Sequence, residues 1–207
     1  MQEMLALCEA TGYTGSREES TNMSRDHEKG KNAPLKSRRR TIFTRDVSMT
    51  TFSIRKATQD DVPAMVELAH QRRIQYQNYQ PRFWRNAVDS CEKHAPFLSH
   101  LVQHERAISL VSESTHTVNG FLIATLVPAP PVYDVGGLTC SIDDFCVVDG
   151  LDWEHVGKAL LEEAMNQAKT RGAVQTVVVC AHLDEAKRKM LANEGFTIAS
   201  EWYVRES

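Results

Sequence analysis

The stretch DFCVVDGLDWEHVGKALLEEA, residues 144–164, constrains the fold more than any other part of the chain. It begins as a buried strand, turns tightly through a segment holding Gly150 and Gly157, and continues as an amphipathic helix anchored by Val156, Leu160 and Leu161. Residues 153–171 read as one long helix ended by Gly172. The run that follows, AVQTVVVCA, is almost continuously apolar, as in a strand covered on both faces. A strand–helix–strand unit of this kind belongs in a sheet with helices packed on it.

The other periods fit around that unit. TFSIRKA alternates Phe52 and Ile54 inward, as a half-buried strand does. In TQDDVPAMVELAHQRRIQY, Thr58 suits a cap, Asp60 and Asp61 suit a helix N-terminus, and Pro63 fits the first turn. Val62, Met65, Val66, Leu68 and Ala69 form its apolar stripe. Residues 81–104 read as a second helical region interrupted near Pro96. AISLVSES and GFLIATLV form a hairpin across the polar turn STHTVN, PAPP stops the second strand, and LTCSIDDFCVV is a third. A helix over 183–194 ends at Gly195, and FTIASEWYV closes the chain as a strand. The order β–α–α–β–β–β–α–β–α–β predicts an α/β (α+β) fold: a mixed, mostly antiparallel central sheet with helices on both faces.

Residues 1–51 differ in kind. They are polar, mixed in charge and without hydrophobic period, so they read as a disordered tail, with the folded domain at 52–207 and Met49 as an alternative start. The tail's Lys36, Arg38, Arg39 and Arg40 form a short basic cluster, read as a solvated surface. A net charge of −3 over 207 residues lacks the basic footprint of a nucleic-acid binder, and no apolar run reaches membrane-spanning length. Five cysteines, odd in number and without CxxC spacing, argue against a disulfide or metal framework and for a cytoplasmic protein.

The strand–turn–helix has a chemical consequence. A helix N-terminus offers unpaired N–H groups and a partial positive charge, which together bind pyrophosphate. Gly157 would let phosphates approach the backbone, Lys158 would add a charge at the rim, and His155 would donate. Asp152 is expected to face away and cap the helix, with Trp153 over or under the turn.

VGKALLEEA resembles the second half of the acetyl-CoA motif of the GCN5-related N-acetyltransferases. DEAKRKMLANEGFTIASEWYV resembles their last helix, closing Gly-Phe and terminal strand, and FSIRKATQDDVPAMVELA their first strand and helix. The likeness covers about residues 52–207 and implies acetyl-CoA as co-substrate. It puts carbonyl-polarising N–H groups at Phe145, Cys146 and Val147, and phosphate-binding amides from Trp153 through His155, Val156, Gly157 and Lys158 to Ala159. The departures are Asp152 at the motif's Arg/Gln position, His155 at its first glycine, Leu191 at the tyrosine that protonates the departing thiolate, and Asp184 at its asparagine neighbour.

Acetyl transfer to an amine needs a polarised carbonyl, a base and a stabilised thiolate. Asp143 and Asp144 are the candidate bases, expected on opposite faces of their strand, with Asp144 favoured beside Phe145. Tyr133, in a Pro-rich loop, and Cys180 are the candidate acids; solvent is the alternative. Tyr76, Tyr79, Trp84 and Arg85 are the candidate acceptor-side residues. His70, His94, His100 and His104 lack a metal-ligand pattern and read as surface or capping residues. The partners expected are acetyl-CoA and an amine acceptor, with a homodimer open and neither nucleic acid nor membrane. Two functions stand: an acyl-CoA-dependent N-acyltransferase, or a domain of the same fold that binds or regulates without catalysis.

Overall fold

A computed structural model describes residues 51–148 and 150–206; the expectations for residues 1–50 lie outside it. Five strands form one sheet in sequence order: β1 (Ser53–Lys56), β2 (Ala107–Ser114), β3 (Thr117–Pro128), β4 (Leu138–Val147) and β5 (Ala173–Val178). The first three pairings are antiparallel and β4–β5 is parallel. Among the described residues the helices are α1 (Val62–Tyr79), α2 (Ser90–Gln103), α3 (Val156–Thr170) and α4 (Glu185–Asn193), and 3₁₀ turns at Gln59–Asp61 and Gly150–Glu154 lead into α1 and α3.

Each sheet face has its own core layer. Met65, Leu68 and Ala69 of α1 and Leu98, Leu101 and Val102 of α2 pack with Val111, Phe121, Ile123 and Cys146. Leu160, Leu161 and Ala164 of α3 and Met190 and Leu191 of α4 pack with Ile108, Leu122, Ile142 and Phe145. Helices thus cover both faces, as the hydrophobic periods predicted.

The β2–β3 turn is two residues, Thr115 and His116, both with positive φ (51° and 62°). That geometry matches the right-handed twist of the flanking strands. Helix α2 runs through Pro96, where the sequence predicted a break; the irregular part is 81–89, just before it.

Two further expectations are corrected. β5 is an edge strand with half-exposed Val174 and Val177, so its apolar run is not covered on both faces. Residues 196–206 form no strand: Ile198, Trp202 and Tyr203 are exposed, and Trp202 stands against Phe83 at 5.8 Å between ring centroids. Alternation supplied the pattern, but among the described residues no neighbouring strand takes up its hydrogen bonds.

Candidate active site

β4 and β5 run together only part of the way. Their pairing extends from Leu138↔Ala173 to Ile142↔Val178, and the Val179 N–H donates to the Ile142 carbonyl at 2.9 Å. From Asp143 to Val147, β4 has no β5 partner among the described residues. The cause is visible in the register with β3. Leu122 faces Phe145 and Ala124 faces Ile142, so Asp143 and Asp144 together stand opposite Ile123. This is a β-bulge, which bends a strand and ends regular pairing. Ile142 and Phe145 consequently share one core layer although they are three residues apart. Simple alternation therefore does not carry across the two aspartates, and the expectation that it sends them to opposite faces loses its basis.

Lys187 of α4 spans the opening. Its Nζ donates to the Val179 carbonyl at 2.9 Å and to the Phe145 carbonyl at 3.4 Å, one on each side of the parted strands. The side chain is 1% exposed and stands over the rings of Phe145 (4.9 Å) and Trp153 (5.3 Å). Sequence reading missed it. The signal was there: Lys187 precedes Met190 and Leu191 by three and four residues and so shares their buried face.

A second buried group adjoins it. Asp184 caps α4, accepting from the Lys187 N–H at 3.4 Å, and also accepts from Arg72 Nη1 at 2.9 Å and the Tyr76 hydroxyl at 3.0 Å. Arg72 lies over the Trp153 ring at 5.0 Å. Trp153 is buried and its Nε1 finds no partner among the described residues. Tyr76 is buried, which pushes its hydroxyl well above the usual tyrosine range, and it packs on Tyr79 and Trp84 at 5.9 and 5.1 Å. The candidate acceptor-side aromatics therefore form one cluster, whereas Arg85 is exposed.

On the α1–α2 side the bulge meets a histidine. His94 Nε2 is 3.1 Å from Asp144 Oδ2, and Arg73 Nη1 is 2.9 Å from His94 Nδ1. A guanidinium only donates, so Nδ1 accepts and Nε2 carries the hydrogen given to Asp144. The His94 side chain is only 13% exposed, which corrects its reading as a surface residue. Asp143 is raised above the usual carboxylate range, first by burial and then by the Asp144 charge.

The start of α3 differs from its expected form. The N-cap is His155, with no side-chain cap, so Asp152 does not cap the helix; its carbonyl accepts from the His155 N–H at 3.2 Å. The Ala159 N–H already bonds the His155 carbonyl. Val156, Gly157 and Lys158 supply the first-turn amides. Lys158 is held by Glu194 and by Glu162 (3.2 Å). A Cβ on Gly157 would lie 2.6 Å from Trp153 Cε3, so this glycine seats the indole. The side chains of Phe145, Cys146, Val147, Trp153 and Val156 are buried, which leaves their backbone as what they can offer a ligand.

Of the candidate acids, the structure leaves Tyr133 away from the opening and puts Cys180 beside it. Tyr133 is exposed in the β3–β4 turn, at the Leu138 end of β4, whereas the strands part toward Val147. Cys180 is half-buried, and burial pushes its thiol up to about 11, a weak donor to a thiolate. Leu191, at the tyrosine position, lies in the core. Among the described residues no group of three His, Cys, Asp or Glu is placed to hold a metal, and no helix is long and apolar enough to cross a membrane.

A mixed sheet covered on both faces, parting beside a bulge, with a helix starting just past the parted strand, is the acyl-CoA N-acyltransferase fold of the GCN5-related N-acetyltransferases. Solved structures share it. A predicted acetyltransferase with acetyl-CoA from Clostridium acetobutylicum aligns with a TM-score of 0.60 at 16% identity, over 75% of this chain and 96% of that one. An aminoglycoside N-acetyltransferase in complex with CoA gives 0.56 at 12% identity, over 76% and 95%. A transcriptional regulator from Bacillus halodurans gives 0.58 at 16% identity, over 76% and 100%. No family sequence model and no curated protein matches the chain.

Proposed function

We propose that the chain is an acyl-CoA-dependent N-acyltransferase that moves acetyl from acetyl-CoA to a primary amine of a small molecule or peptide by direct attack. The observation that carries this reading is the β4 edge, unpaired with β5 among the described residues, beside a carboxylate oriented by His94. Phe145 turns its carbonyl toward the gap. A strand residue projects its N–H and C=O to the same edge, so the Phe145 N–H also faces the gap, where it can polarise a thioester carbonyl. The α3 amides at Val156, Gly157 and Lys158 would take the pyrophosphate. Asp144, held through Oδ2 by His94, keeps Oδ1 for the amine proton. The cluster of Tyr76, Tyr79 and Trp84 would form the acceptor wall.

The second reading, a binding or regulatory module of the same fold, draws on Leu191 in the core where the resemblance expects a tyrosine and on the Bacillus halodurans regulator of like fold. Free-thiol release from acetyl-CoA with a panel of primary amines separates the two. Amine-dependent release supports the transferase; calorimetric binding of acetyl-CoA without release under any amine leaves the module.

A further inference from the structure

We infer that Lys187 is the group that receives the departing thiolate, holding the CoA sulfur as an ammonium–thiolate pair. The inference rests on the acyl-transfer reading and adds to it the thiolate partner that the chain lacks at Leu191. Three observations place it. Lys187 Nζ lies between the carbonyls of Phe145 and Val179, where β4 and β5 separate. An ammonium has three protons; two go to those carbonyls, and the third has no acceptor among the described residues. The charge is also unpaired: no carboxylate lies within ion-pair distance of Lys187 among the described residues, since Asp184 spends its Oδ2 on Arg72 and Tyr76. Fully buried lysines are rare without a partner anion, and a burial that costs stability marks a functional position.

The charged and titratable groups facing Lys187 come from every side of the opening: Arg72 of α1, Asp143 and Cys146 of β4, Cys180 just after β5, and Asp184 before α4. Burial, the largest influence, lowers the Lys187 ammonium below the usual lysine range. Protonated, it offers the thiolate a positive charge that no carboxylate has taken, and the thiolate in turn favours the ammonium form. The amine nitrogen forms a bond to the acetyl carbon and the carbon–sulfur bond breaks. The amine proton goes to Asp144, and the sulfur leaves as a thiolate paired with the Lys187 ammonium, taking its proton from solvent as CoA departs.

Lys187→Met tests it, because a methionine of similar length removes the charge without leaving a buried ion unpaired. With acetyl-CoA and an amine that supports turnover, Lys187→Met is expected to lower kcat roughly 10²-fold while acetyl-CoA affinity changes less than about threefold. The ammonium must be protonated to hold the thiolate, so wild-type kcat falls as pH rises through the Lys187 value; that alkaline limb is absent in the variant. A second readout needs no turnover. CoA bound to the wild type is expected to show thiolate absorbance at a pH where free CoA is still a thiol, and CoA bound to Lys187→Met is not. Loss of both signatures in the variant supports the assignment. Unchanged kcat and alkaline limb in Lys187→Met, or no thiolate signal with CoA bound to the wild type, overturns it. A wild type that binds CoA as thiolate yet releases no thiol with any amine overturns the transferase reading and leaves the thiolate assignment standing.

Discussion

Asp61 ties the first strand to the first helix by charge. Arg55 donates to both its carboxylate oxygens, at 2.7 and 2.8 Å, and the Thr58 N–H adds a third bond at 2.8 Å. The Arg55 guanidinium holds the nearly buried carboxyl at about 2, against 3.8 for an ordinary aspartate. Because the folded value is the lower one, the stabilisation is full above pH about 4 and is lost as pH falls through about 2. Its size is ~2 kcal/mol. Asp61→Asn is therefore expected to unfold at lower urea at pH 7 and to differ less from the wild type near pH 2. A pH-independent difference would mean that packing, not ionisation, makes the contribution. Asp144 is a different case, because the role proposed for it is chemical. Asp144→Asn is expected to reduce kcat roughly 10²–10⁴-fold with acetyl-CoA affinity nearly unchanged. A change under threefold in steady-state assays would move proton removal to Asp143 or to an amine that arrives neutral.

Strand–helix–strand units are legible in sequence because each buried face leaves a period, and α3 and the β2–β3 hairpin fall where those periods put them. Three features leave no such trace. The bulge at Asp143–Asp144 reads as two ordinary strand residues, since only the register with β3 reveals the extra one. Lys187 reads as surface charge until its place on the Met190–Leu191 face is weighed. FTIASEWYV has a strand's alternation, but a strand also needs a neighbour, and sequence does not show the neighbour. Gly157 shows the same limit at an element boundary: a glycine near a helix start suggests ligand approach, whereas here Trp153 fills the space. Gly157→Ala brings a Cβ within 2.6 Å of a fully buried indole. Helix propensity gains up to about 1 kcal/mol, overpacking costs ~1–3 kcal/mol, and the overpacking is expected to win. The variant should melt several degrees lower, with weaker near-ultraviolet tryptophan dichroism. Unaltered melting with lost acetyl-CoA binding would return Gly157 to the ligand.

At the scale of the molecule, the folded domain is expected to begin at residue 52. Among the described residues, both layers draw on side chains from Phe52 to Phe196. β1 starts at Ser53 and takes its pairing from β2, and the Ser114 hydroxyl bonds the Thr51 carbonyl at 3.0 Å, so the N-terminal strand is tied to the sheet from its first residues. Phe52 and Ile54 pack on the layer covered by α3 and α4. A chain beginning at Met49 keeps all of these contacts. Hydrophobic burial dominates folding, so such a chain is expected to retain nearly all of the stability. For a domain of this size ~1 kcal/mol moves the midpoint by about 2–4 °C, and the midpoint should shift by no more than that on removal of residues 1–48. Thermal melts of the two chains under identical conditions decide it. A fall of twice that size would show that residues 1–48 contribute to the folded domain, and the boundary at 52 would have to move toward the N-terminus.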